Sequence, residues 1–127
     1  MAETGLRLEL PYPPSMNHYW RYVPGRRKPL ISGEGRQFRT AVVQFYRQLK
    51  VKAIDGPVRV NIVAFRPDRR RRDIDNILKS LLDALDHAGA YEDDSQIWDL
   101  SVRWVLNEDG ELAVWPGGQV IVAITEI

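Results

Sequence analysis

Leu6, Leu8 and Leu10 alternate with Arg7 and Glu9, the two-residue period of a half-buried strand, and Pro11-Tyr12-Pro13-Pro14 ends the run. A first strand is therefore expected over about residues 5–10. Residues 11–31 have no such period and read as a long Pro/Gly/Arg-rich loop. From Ser32, a suitable N-cap, helical spacing sets in over 33–50, with Phe38, Val42, Phe45 and Leu49 as the expected buried stripe. Gly56-Pro57 breaks it, and the run 58–65 alternates again, placing Val58, Val60, Ile62 and Ala64 on one face of a second strand.

A second helix is predicted over 75–88, with Ile77, Leu78, Leu81, Leu82 and Leu85 as its apolar face and Gly89 as its stop. Beyond Asp93-Asp94, the residues Trp98, Leu100, Val102, Trp104 and Leu106 alternate toward one side, the clearest strand signal in the chain. We expect that face in the core; the other reading is a subunit interface. Asn107–Gly110 forms a turn, Trp115-Pro116-Gly117-Gly118 breaks the chain again, and Val120–Thr125 supplies a last strand. The expected fold is α/β: one small domain over 1–127, a mixed sheet in the order β-α-β-α-β-β with two principal helices packed on it. A length of 127 residues suits one core rather than two.

Composition narrows the chemistry. Cysteine is absent, which excludes disulfides, cysteine zinc sites and thiol nucleophiles, and only His18 and His87 offer imidazole. Neither a signal peptide nor an apolar run of about eighteen residues occurs, so a soluble, cytoplasmic protein without a membrane partner is expected. The net charge of +1 conceals a polarised chain. Residues 21–72 hold fifteen Lys or Arg against Glu34, Asp55 and Asp68; residues 73–127 hold two, Lys79 and Arg103, against twelve Asp or Glu. A basic half suits a polyanion, while the acidic half suits cations or pairs with the basic one.

The two halves meet at Arg69-Arg70-Arg71-Arg72-Asp73-Ile74-Asp75. Four arginines in a row are commonly a solvated loop, an Asp before a helix is commonly its N-cap, and Asp93-Asp94 alone is commonly a polar turn. The combination points further. In extended chain Asp73 and Asp75 project to one face, and with one of Asp93 or Asp94 they make an oxygen-only set suited to Mg²⁺, with Mn²⁺ as a substitute and no organic cofactor. Such a site hydrolyses phosphodiesters with one or two ions. Lys79, four residues after Asp75, either forms an ordinary helical ion pair or stabilises charge at the scissile phosphate. Asp83 pairs with Lys79 or faces solvent. Arg69, Arg70, Arg71 and Arg72 would hold flanking phosphates, joined by Asn17, Arg21, Arg26, Arg27 and Lys28 of the long loop. Tyr19 and Trp20 in that loop either stack on bases or anchor it to the core.

Taken together, Asp73-Ile74-Asp75-Asn76-Ile77-Leu78-Lys79, the Pro67–Arg72 run before it, and Asp83-Ala84-Leu85 and Asp93–Ile97 after it resemble the RusA family of Holliday junction resolvases. Pro13–Arg21 is similar to that family's N-terminal motif, and Ser32-Gly33-Glu34-Gly35 to the start of its first helix. The resemblance implies a homodimeric, magnesium-dependent crossover junction endodeoxyribonuclease that nicks a four-way DNA junction symmetrically. It implies Asp73, Asp75 and Asp94, rather than Asp93, as metal ligands and Lys79 as the catalytic lysine. The tryptophans at 98, 104 and 115 and the segment 107–118 lie outside the motif. Two other readings compete: a flap or fork nuclease with the same chemistry, and a non-catalytic junction-binding module. The second is disfavoured, because carboxylates without metal repel DNA.

Overall fold

The structure, a computed structural model, describes residues 5–127. Strand β1 (Gly5–Pro11) buries Leu6, Leu8 and Leu10 as the alternation requires. Helix α2 (Gly33–Leu49), strand β4 (Val58–Phe65), helix α3 (Leu78–Ala88), strand β5 (Ile97–Trp104) and strand β6 (Gln119–Glu126) follow, so the main elements keep the predicted β-α-β-α-β-β order. The interval 11–31 holds three short elements that lack any period: helix α1 (Met16–Tyr19) and strands β2 (Trp20–Arg21) and β3 (Leu30–Ile31), which pair as an antiparallel ribbon.

The four long strands form one mixed sheet, ordered β1-β6-β4-β5. β6 runs antiparallel to both β1 and β4, and β4 runs parallel to β5. In register, Val60 faces Ile124 and Ile62 faces Val122, and all four are buried. The helices close this face, α2 with Phe38, Val42 and Tyr46, and α3 with Leu81, Ala84 and Leu85. Among the described residues no helix is long and apolar enough to cross a membrane.

Three expectations need correction. Phe45 and Leu49 are partly exposed, and the stripe of α2 runs instead through Gly35, Phe38, Val42 and Tyr46. Tyr46 can take the buried place because its hydroxyl reaches the Val51 carbonyl at 3.2 Å. The second helix does not begin at 75: a 3-10 turn, Ile74–Ile77, precedes α3. Most consequentially, the apolar face of β5 is not core. Trp98 is 72% exposed, Leu100 41% and Leu106, past the strand's end, 58%, while Val102 and Trp104 are half-buried. The reason is position: β5 is the outermost strand, with β4 on one side and no described strand on the other.

Candidate active site and nucleic-acid interface

The arginine run leaves the end of β4 and is folded around Asp68. The Asp68 carboxylate accepts from Arg72 at 2.8 and 3.2 Å and from the Arg70 backbone N–H at 3.0 Å. Arg72 also lies over the Tyr12 ring, 5.8 Å from its centroid. The Arg72 hydrogen bond is the main reason that the Asp68 carboxyl sits below the ordinary carboxylate range, followed by that of the Arg70 backbone. Arg69, Arg70 and Arg71 remain exposed. Arg72 therefore fastens the loop, Arg70 comes within 3.7 Å of the same carboxylate but stays largely in solvent, and Arg69 and Arg71 are exposed.

Arg66, just before the run, is buried. It donates to the Arg70 carbonyl at 2.7 Å, stands 4.9 Å over the Trp104 ring, and leaves its Nε without a partner. Sequence reasoning missed its role, because beside four further arginines nothing marks one guanidinium as structural. Asn17, Arg21, Arg26, Arg27 and Lys28 are all exposed, the last three around the turn between β2 and β3.

The N-terminal segment is bolted to both helices. Ser80 Oγ on α3 donates to the Pro14 carbonyl at 2.7 Å. Tyr19 is buried, which settles its anchoring role; its hydroxyl donates to Asp83 and accepts from Arg39 Nε at 2.9 Å. Burial, then the Asp83 carboxylate, pushes this hydroxyl far above the ordinary phenol range. Asp83 pairs with neither Lys79 nor solvent, the two expected alternatives, but with Arg39 at 2.6 Å.

Asp73 occupies the extended residue before the 3-10 turn, and its side chain makes no capping hydrogen bond. It lines a cleft of about 230 Å³ with Tyr12, Pro13, Ser15, His18 and Arg72. Asp75 is an exposed residue inside the turn. The ordinary explanation of these carboxylates, helix capping, thus applies to neither. It does apply to Asp93, which accepts from the Ser95 N–H at 3.0 Å and completes a capping box with Gln96. Those bonds to Ser95 hold the Asp93 carboxyl below its usual range.

Asp94 opens the 3-10 turn Asp94–Gln96 that follows. Its carboxyl is raised by burial and by the Asp86 charge, while the Tyr91 hydroxyl and the Lys79 ammonium oppose the shift. Lys79 stands four residues after Asp75, in the first turn of α3, and its charge is one of those that bear on the Asp94 carboxyl. Among the described residues, no three His, Cys, Asp or Glu side chains of one chain converge into a group that could hold a metal ion.

The family model described as endodeoxyribonuclease RusA matches residues 11–115, from the Tyr12 segment to Trp115. The chain is 45% identical over 119 residues to the crossover junction endodeoxyribonuclease of Enterobacteria phage HK97, covering 93% of this chain and 92% of that protein. It is 37% and 36% identical, over 121 residues, to the enzymes of that name from Shigella sonnei and Escherichia coli K12, covering 94% of this chain and 93% of each.

Proposed function

From the premise that this chain belongs to the RusA family of endodeoxyribonucleases, we propose that it resolves four-way DNA junctions by paired symmetric nicks, as a homodimer dependent on Mg²⁺ or, in substitution, Mn²⁺. The observation that supports the reading is the exposed pair Asp73 and Asp75, the former without a capping bond, directly after three exposed arginines and followed four residues on by Lys79 at the start of α3.

The chain's own groups divide the work. Arg69, Arg70 and Arg71 bind phosphates on either side of the scissile bond, an electrostatic and sequence-independent hold. Asn17, Arg21, Arg26, Arg27 and Lys28 extend that hold from the β2–β3 ribbon. Lys79 places a positive charge where the phosphate gains negative charge in the transition state. Asp73, Asp75 and Asp94 are the groups that would hold the cation, and their oxygen-only chemistry fits a hard ion. Their spacing within one chain does not gather all three. When bound, such an ion activates water and neutralises phosphate charge.

Two paired nicks need two sites, and a four-way junction has approximate two-fold symmetry, so a two-fold dimer matches the substrate. The test is cleavage of a labelled synthetic four-way junction with Mg²⁺ or with EDTA, beside flap and linear duplex controls. Symmetric paired nicks that need metal, on the junction alone, support the reading. Tight binding without cleavage, or preferential flap cutting, overturns it.

A further inference from the structure

Four planar side chains form a column beside the arginine loop. Arg66 stands 4.9 Å over the Trp104 ring, Trp104 stacks on Tyr12 with 6.5 Å between ring centres and 14° between planes, and Arg72 lies 5.8 Å over Tyr12. The column ties three strand ends together: Tyr12 follows β1, Arg66 follows β4 and Trp104 ends β5. Arg66 and Arg72 are also the two ends of the loop that carries Arg69, Arg70 and Arg71. Backbone bonds reinforce the Arg66 end, where its carbonyl accepts from the Trp115 N–H at 3.0 Å and its guanidinium donates to the Arg70 carbonyl at 2.7 Å.

We infer that Trp104 and Tyr12 are positioning residues for DNA binding: their stacked rings hold Arg66 and Arg72, and so fix the loop that presents Arg69, Arg70 and Arg71 before DNA arrives. This deepens the proposed function and rests on it, since junction DNA is the partner assigned to those arginines. A guanidinium is drawn to the negative face of an aromatic ring, and more strongly where water is excluded. Arg66 is buried, and Tyr12 and Trp104 are partly buried against the core, so most of the column is sheltered. The contact with Tyr12 and Arg66 also distinguishes Trp104, half-buried, from Trp98 and Leu100, which stay exposed on the same strand.

The means of anchoring matters for function. A buried guanidinium is costly unless something compensates it, and the usual device is a carboxylate. Among the described residues Arg66 has no ion-pair partner; a ring face and a carbonyl take that place. Its end of the loop is thus fixed without cancelling positive charge, whereas Asp68 neutralises Arg72 at the other end. A loop already ordered loses less conformational freedom on binding, so the gain falls on affinity rather than on the chemical step. Lysine could not take the place of Arg66, because an ammonium lacks the plane that stacks.

The test compares Trp104→Leu, which stays apolar but loses the ring, with Trp104→Phe, which keeps one, and with Arg66→Lys, which leaves both rings in place. Fluorescence anisotropy with EDTA in place of Mg²⁺ reads affinity for a four-way junction. Single-turnover cleavage at saturating enzyme reads the chemistry, and hydrogen exchange of the Arg70 amide, bonded to Asp68 at 3.0 Å, reads the loop. Trp104→Leu should weaken binding about tenfold and leave the saturated rate within about twofold. Arg70 exchange should quicken while the amides of α2 and α3 exchange as in the wild type. Trp104→Phe should recover most of the affinity, and Arg66→Lys should repeat the Trp104→Leu pattern without any change of ring. If the wild type cuts junctions but neither affinity nor Arg70 exchange moves in Trp104→Leu and Arg66→Lys, the positioning role is wrong and the proposed function stands. A saturated rate that falls further than affinity also overturns it. If the wild type does not cut junctions, the proposed function falls, and Arg70 exchange still decides whether the column holds the loop.

Discussion

Arg39 of α2 grips Asp83 of α3 through Nε at 3.0 Å and a terminal nitrogen at 2.6 Å, and the Tyr19 hydroxyl enters the same pair. One ion pair thus joins both helices to the N-terminal segment that walls the Asp73 cleft. Its side chains are about a quarter exposed, sheltered enough for the pair to count and wet enough not to be a liability.

Removing either partner leaves the other without its ion pair at a site only about a quarter exposed. Asp83→Asn and Arg39→Ala should each cost about 1–3 kcal/mol in urea unfolding, and Tyr19→Phe about 0.5–1.5 kcal/mol. The double variant Arg39→Ala, Asp83→Asn should lose less than the sum of the singles. Cleavage per folded molecule should change little at permissive temperature. A loss of turnover without a loss of stability would move Asp83 from the scaffold into the chemistry.

The division of the arginine run predicts two phenotypes within four residues. Arg70→Ala with Arg71→Ala should weaken junction binding and flatten its salt dependence, by about 0.9 in the log–log slope for each phosphate no longer neutralised. Arg72→Ala instead releases Asp68 and the Tyr12 ring and should disturb the loop, lowering stability with a smaller change in slope. Fluorescence anisotropy at several salt concentrations separates the two; equal slopes for all variants would place Arg70 and Arg71 off the DNA.

The sequence made the main sheet and both large helices legible because each carries an unmixed period, as in Leu6-Leu8-Leu10 or Val58-Val60-Ile62. It did not reveal α1 or the β2–β3 ribbon, which are held by hydrogen bonds such as Ser80 to Pro14 rather than by a repeating apolar pattern. The period of β5 was equally plain, but alternation shows only that a face is apolar, not what covers it; the strand's place at the sheet edge decides that. At the candidate site, residue types pointed to Asp73, Asp75, Lys79 and one of Asp93 or Asp94. The distinction between Asp93 and Asp94 needed either the family resemblance or the capping bond to Ser95. Pairs such as Arg39–Asp83 and Arg66–Trp104 join distant segments, and no local spacing announces them.

The Asp68 clasp has a pH signature of fixed sign. Its folded pKa lies below the unfolded one, chiefly through Arg72, so the stabilisation is fully present above the unfolded value near 3.8 and disappears as pH falls through the lower, folded value. Wild type should exceed Asp68→Asn in stability at pH 6, and the difference should close on acidification below that range. Urea titrations of both proteins between about pH 2 and 6 would show it. A difference that persists at the acid end would mean that Asp68 acts by shape rather than by charge.

Lys79 and Asp75 should separate chemistry from binding. On the proposed function, Asp75→Asn removes a negative charge from the surface assigned to phosphates, so junction affinity should hold or rise while cleavage is lost; the same applies to Asp73→Asn. Neither residue makes a capping hydrogen bond with its side chain, so folding should be spared. Lys79→Ala should slow single-turnover cleavage about 10²-fold, the scale for losing one preorganised charge at the transition state, with a much smaller effect on affinity. Lys79→Arg keeps the charge but changes its reach and should recover only part of the rate. An unchanged single-turnover rate in Lys79→Ala would reduce the lysine to a partner that offsets the Asp94 charge, and the electrostatic role would then belong to the exposed arginines.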